Sequence, residues 1–415
     1  MPAWTCPFCS LLCDEFVLAD GTPPRLEGSD CPRALAGLAS HELAAPAPRA
    51  SVDGAPASLE DALDAAADRL ARWQQPLFGG LGTDIAGARA LARLAHRTGA
   101  ICDHADGDVQ MHALRALQDR GQYQVTLGEV RRRADLLVCI GTTASDRFPE
   151  FFRRVGVGAP GSPCGGVVFV GAPVPARFPA GVPAESIAGS GDLFADLQQL
   201  AAVVQGRPLA RPDHALSQLA ERLLAARYAV LVWEPGTLPA HGALVAEAIT
   251  RIVATLNAAT RAASLPLGGN DGAGAVNQVF AWLTGLPLRT RAGPAGLEHE
   301  PLRFGARRLL DDRAVDGLLW ISSFDPARVP PATDLPTLVL GPPAMGPRLP
   351  ASVGVYIAVA TPGLGEAGHL LRTDGIIIVP LERVRDDGVP SAAVVLAALA
   401  ARIDGAAAAP RRATA

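Results

Sequence analysis

Cys6, Cys9 and Cys13 stand close together in "CPFCSLLCDE" (6–15), and Cys31 follows in "SDCPR". Three thiols from one tight loop and a fourth from a returning segment can converge on a soft metal centre, because thiolate sulfur is a preferred donor for zinc and for iron–sulfur clusters. Four-cysteine iron–sulfur ligation fits this spacing. A structural zinc site fits the same donors, although zinc ribbons more often pair two CxxC knuckles. Four unrelated buried thiols are the bland alternative.

A second group lies in "DHADGDVQMH" (103–112), which gathers Asp103, His104, Asp106, Asp108 and His112. Carboxylates and imidazoles at that density can hold a divalent metal. The same composition suits a solvated polar loop, since no period places the groups on one face. "GGLGTD" (79–84) and "LGGNDGAGAVNQ" (267–278) could each lay backbone N–H groups against a phosphate at a helix start. Neither fits G-x-G-x-x-G with its acidic partner, and tight β–α turns also require glycines. His241 and His369 stand alone as acid/base groups. No G-x-S-x-G, HExxH or P-loop occurs, so hydrolase, zincin and NTPase readings lack a motif.

The elements that must position these residues alternate in type. "AAPAPRASVDGAPAS" (44–58) reads as a Pro/Ala linker with a turn at Asp53-Gly54. Ser58 and Asp61 then form a capping pair, and Leu59, Ala62, Leu63, Ala66, Ala67 and Leu70 recur at helical spacing up to Trp73. "QPLFGGLGTD" is a short buried strand ending in glycines, followed by a helix through "AGARALARLAHRTG". The grammar repeats at "ADLLVCIGTTASD" (134–146), "GVVFVGAPVP" (166–175), "YAVLVWEPG" (228–236), "GLLWISSFDPAR" (317–328), "PTLVLGPPAMG" (336–346) and "VGVYIAVATPG" (353–363). Near-continuous apolar runs signal parallel strands covered on both faces. The expected fold class is therefore α/β: two Rossmann-like doubly wound units with a small N-terminal cysteine-bearing domain. The expected boundaries are 1–44 for the cysteine domain, 58–215 and 216–402 for the two units, and 403–415 for a disordered tail.

Composition narrows the function classes. The 415 residues exceed one ordinary core, and 49% hydrophobic against 19% charged residues describes a globular chain. A net charge of -4, with no basic run beyond "RRR" at 131–133, leaves no footprint for nucleic acid or an anionic membrane; the triplet reads as a solvated helix end. "MPAWTCPFCS" lacks the basic and apolar regions of a leader, and no uninterrupted apolar run reaches about 18 residues, so the expected location is cytoplasmic. The remaining cysteines, Cys102, Cys139 and Cys164, are scattered and do not form a disulfide framework.

"CPFCSLLCDE", "SDCPRA" and "RTGAICDHADGDVQMHALRALQDRGQYQVTLGEVRRRADLLVCIG" resemble the B subunit of formylmethanofuran dehydrogenase, and more specifically its bacterial counterpart in the formyltransferase/hydrolase complex. "GAVNQVFAW" and "GEAGHLLRTDG" extend the resemblance through most of the chain. It implies a molybdopterin-oxidoreductase-like fold and an N-terminal [4Fe-4S] cluster on Cys6, Cys9, Cys13 and Cys31. It also implies the A, C and D subunits of that complex as partners, in the oxidation of one-carbon units linked to tetrahydromethanopterin and methanofuran.

Three departures matter. The dehydrogenase motif D-N-T-x-x-x-C-H-G places its metal-binding cysteine or selenocysteine at Val109, and an aliphatic side chain has no lone pair to donate. The family's W-G-x-N-P turn reads Ile140-Gly141-Thr142-Thr143-Ala144, and its D-P-R turn reads Gly171-Ala172-Pro173. In the family those turns would hold the pterin nucleotide through Asn, Asp and Arg groups. A non-catalytic subunit without a molybdenum or tungsten pterin is the expectation. The alternatives are an active dehydrogenase subunit and a free nucleotide-binding enzyme with a zinc knuckle.

Overall fold

The computed structural model describes residues 3–19, 21, 24–42, 48–211 and 213–408. They fall into two compact units that are interleaved in sequence. One comprises Met1–Gly107, Gly269–Arg372 and Ile378–Ala415; the other comprises Asp108–Gly268 and Thr373–Ile377.

In the first unit, Pro76–Gly82, Gly317–Ser322, Thr337–Gly341 and Val353–Ala358 are neighbouring parallel strands, and Ile101–Cys102 extends them beyond Pro76–Gly82. Each of the four is buried along almost its whole length, as the continuous apolar runs require of a sheet covered on both faces. Antiparallel strands finish the nine-stranded sheet: Thr290–Gly293 and Gly296–His299 on one side, Ala50–Val52 and Ala55–Pro56 on the other. Helix Leu59–Leu70 starts where Ser58 Oγ accepts the Asp61 N–H at 3.1 Å. Its Leu63, Ala66 and Leu70 share a core with Leu91 and Leu94 of helix Ile85–Thr98 and Leu396 of helix Ala392–Ala408. The other face packs Leu77, Trp320 and Tyr356 on Leu309 and Met345.

The second unit holds five parallel strands in the order Ala184–Ile187, Val167–Val170, Leu136–Ile140, Ala229–Trp233, Ala262–Pro266. Helices Leu193–Val204, His214–Ala225 and Gly242–Leu256 bury Leu197, Leu219 and Ile249 in its core.

The expected α/β class and all seven quoted strands are present, but the linear division at 215/216 is corrected. The chain crosses between units after Gly107 and after Gly268. Turn composition shows where a strand ends; it does not show which sheet the strand joins. The 76–82 strand pairs with 317–322, and 136–140 pairs with 229–233, so both linear halves supply both sheets. The expected turn at Asp53-Gly54 is present, but 50–56 form an edge hairpin and not a linker. Residues 43–47 lie outside the described residues, and Asp53-Gly54, both at positive φ, turn the edge hairpin Ala50–Val52/Ala55–Pro56. The expected tail begins within helix Ala392–Ala408, and 409–415 lie outside the described residues.

Candidate functional site

The cysteine loop is a closed turn. Cys6 N–H donates to Cys13 O at 2.9 Å and Leu12 N–H to Cys9 O at 3.1 Å, with Leu12 at φ 46°. Ser10 N–H bonds Asn270 Oδ1 at 2.9 Å, Trp4 indole N–H bonds Gly363 O at 2.8 Å, and Leu12 packs with Phe324 and Leu370. Cys31 stands immediately before helix Pro32–Ser40, whose Gly37 lets the Phe8 ring approach so closely that a Cβ there would lie 2.2 Å from it. All four thiols are buried. Burial pushes the Cys6 thiol well up, and the neighbouring Cys9, Cys13 and Cys31 push it further. The quartet therefore occupies one buried region, with donor chemistry that fits a soft metal. Among the described residues, no group of three or more His, Cys, Asp or Glu side chains is drawn together closely enough to hold a metal ion.

The 103–112 stretch is not a solvated loop. Asp103 is 2% exposed and Arg289 3%. Arg289 Nε and Nη2 donate to the two carboxylate oxygens at 3.1 and 3.2 Å, and Ala306 N–H adds a bond of 2.7 Å. His104 Nδ1 accepts the Asp106 N–H at 2.9 Å, leaving Nε2 to donate to Asp271 O at 3.3 Å. Burial lowers the His104 pKa to about 4 against the opposing pull of Asp106, so the ring is neutral near pH 7. Arg328 bridges Asp106 at 3.1 Å and Asp271 at 2.9 Å. Asp103, His104 and Asp106 thus hold turns of the first unit in place and are not gathered toward a metal. Asp108 and His112 belong to the second unit, on helix Gly107–Arg120, where His112 packs against Gly242. Val109 is half-buried in the first turn of that helix.

The glycine turns are explained by close packing. Asp84 caps helix Ile85–Thr98 through Gly87 N–H at 2.9 Å, which places a carboxylate where a phosphate would bind. Gly272, at φ 74°, opens helix Ala273–Thr284, and a Cβ on it would meet Thr83 O at 2.1 Å. His241 is exposed and edge-on to Phe194; His369 is exposed, and its backbone N–H bonds Asp84.

In the second unit the two altered turns follow adjacent strands. Thr142 donates its hydroxyl to Glu234 Oε1 and accepts the Ala144 N–H at 2.8 Å. Glu234 follows the 229–233 strand, is 1% exposed, and has Arg147 Nε 3.6 Å from its Oε2. Burial holds its carboxyl above the ordinary range, with Thr142 and Arg147 pulling the other way. At Gly171, φ 67°, the backbone turns after the 167–170 strand, and Ser186 Oγ donates to Ala172 O at 2.8 Å.

No family model matches the sequence. A curated relative, the B subunit of the formyltransferase/hydrolase complex Fhc from Methylorubrum extorquens, is 29% identical over 324 residues, covering 77% of this chain and 87% of that protein. A chain in the X-ray structure of the formyltransferase/hydrolase complex from the same organism, in complex with methylofuran, superposes with a TM-score of 0.75 at 28% identity. The alignment covers 86% of this chain and 99% of that one. The chain is a homologue of the B subunit of the formyltransferase/hydrolase complex.

The pterin that the resemblance implies for the wider superfamily does not fit the residues present. The turns at 140–144 and 171–173 offer no Asn, Asp or Arg side chain, and the Thr142 hydroxyl is engaged by the buried Glu234 carboxyl. Val109 brings no donor. The sequence alone does not single out Arg289, Arg328, Glu234 or Asn270. Their partners lie far away along the chain; Glu234, directly after the apolar run "YAVLVW", was the one with a local signal.

Proposed function

We propose that this chain is the non-catalytic, B-type scaffold component of a formyltransferase/hydrolase complex, assembled in the cytoplasm with A-, C- and D-type subunits. The complex would act in tetrahydromethanopterin- and methanofuran-linked oxidation of one-carbon units. The observation that carries the non-catalytic part is the Thr142–Glu234 pair: a buried carboxyl group stands at the ends of adjacent parallel strands, in place of donors for an anionic dinucleotide. Val109 supports the same reading, because the soft ligand that would tune a molybdenum or tungsten centre is gone. Among the described residues no helix is long and apolar enough to cross a membrane.

Cys6, Cys9, Cys13 and Cys31 would hold a [4Fe-4S] cluster. Such a cluster supplies a covalent tie between the N-terminal turn and the start of helix Pro32–Ser40. Around it, Asn270 orients the turn through Ser10, and Trp4 and Leu12 exclude water by packing. With no pterin in the same chain, the cluster's role is structural.

Affinity purification from a native extract through a tag on this chain, followed by mass spectrometry, tests the assignment. Recovery with the three other subunit types is expected. A lone chain that binds NAD or another nucleotide would overturn it.

A further inference from the structure

We infer that the second unit carries an anion-binding recess at the amino ends of its parallel strands, which takes a small organic anion with two or more phosphate or carboxylate groups. The recess is a solvent-open depression of about 510 Å³, lined by Tyr123, Glu129, Arg133, Arg227, Tyr228 and Arg261, among others. That volume lies within the range of small-molecule sites. It sits at the opposite strand ends from Thr142 and Glu234: Ala229 is in register with Leu136 and Ala262, and Arg227–Tyr228 and Arg261 directly precede those strands.

Three arginines from separate segments line the recess. Arg133 ends helix Leu127–Arg133, Arg227 enters the 229–233 strand, and Arg261 enters the edge strand Ala262–Pro266. A helix carboxyl end offers only about half a negative charge, too little to balance them. The available carboxylates are partly engaged. Glu129 accepts from Arg133 Nη1 at 3.2 Å, and Asp135 accepts from Arg227 Nε at 3.4 Å. Arg261 contacts only its neighbour's carbonyl, Thr260 O, at 3.3 Å among the described residues, and forms no ion pair there. Each guanidinium keeps N–H groups that match the fork of a carboxylate or phosphate.

Two phenols complete the lining. Burial and then the Glu129 charge push the Tyr228 pKa up to about 12, so the hydroxyl stays neutral and adds no competing anion near pH 7. The chain fixes Tyr123 beside the recess, because Ser264 N–H donates to Tyr123 O at 2.7 Å and Gln124 bridges Ser264 along the free sheet edge.

The test uses calorimetry on the complex purified through this chain, with pyrophosphate and citrate as probes and sodium chloride of matched ionic strength as control. Saturable binding of one equivalent per chain is expected for at least one probe. Pyrophosphate alone assigns anions recognised through phosphate groups, citrate alone assigns polycarboxylates, and both support the recess. Arg261→Gln, an exposed substitution outside the core, is expected to weaken binding roughly tenfold, as loss of a charge-assisted bond does. Arg307→Gln, on an exposed surface of the first unit, should leave binding unchanged. Saturable binding of neither probe, or equal binding by Arg261→Gln and the parent, overturns the inference.

Discussion

Asp103 and Arg289 are nearly inaccessible and satisfy one another through two bonds, so each alone is an uncompensated buried charge. Asp103→Ala and Arg289→Ala are each expected to lower unfolding free energy by about 3–5 kcal/mol, read from urea denaturation midpoints. If Asp103 were instead a surface ligand, either substitution would be nearly neutral. Glu366 gives a pH signature. Burial, then the Asp84 charge, raises its pKa from 4.5 to about 8, while Ser391 pulls it down. Folding thus favours the protonated form, and the contribution present below about pH 4.5 is lost as pH rises through 8. Glu366→Gln, which stays neutral, should gain thermal stability relative to the parent as pH rises from 5 to 8; a pH-independent difference in Tm would refute this. The sequence displayed Asp103 and Glu366 within recognisable stretches but could not display their environments. A carboxylate's role depends on what burial sets beside it, here Arg289 from a position 186 residues away.

The strand-to-turn grammar was legible because buried parallel strands must be apolar throughout, and the run "ADLLVCIG" became Leu136–Ile140 as read. Edge strands were not legible. Ala184–Ile187 is mostly exposed, and Ala262–Pro266 carries a serine and a proline that break the pattern. Glycines can be separated by what they face. Gly272 and Gly121 both have φ above 70°, but only Gly272 lies against Thr83 O, whereas nothing stands within 4 Å of a Cβ on Gly121. Gly121→Ala should cost about 1–2 kcal/mol from the left-handed backbone alone, and Gly272→Ala about 2–5 kcal/mol once the clash is added. Equal losses in paired denaturation curves would remove the close-approach explanation.

For the whole molecule, the sequence indicated the fold class but could not indicate that the units are interleaved, because pairing such as 76–82 with 317–322 leaves no local mark. The basic triplet at 131–133 shows the same limit: only the fold brings Arg133 to Arg227 and Arg261. The four cysteines stand out in the sequence as a candidate soft donor set, and the fold buries all four thiols. Replacing Cys31 with Ser in the assembled complex should lower iron and acid-labile sulfide together and reduce the stability of the N-terminal region to proteolysis; zinc without iron in the parent would contradict the cluster. We predict that this chain keeps an oxidoreductase-like fold without holding a pterin. The most direct test is the molybdenum, tungsten and pterin content of the complex purified through this chain. All three are predicted far below one per chain, and a stoichiometric metal with bound pterin would contradict the claim.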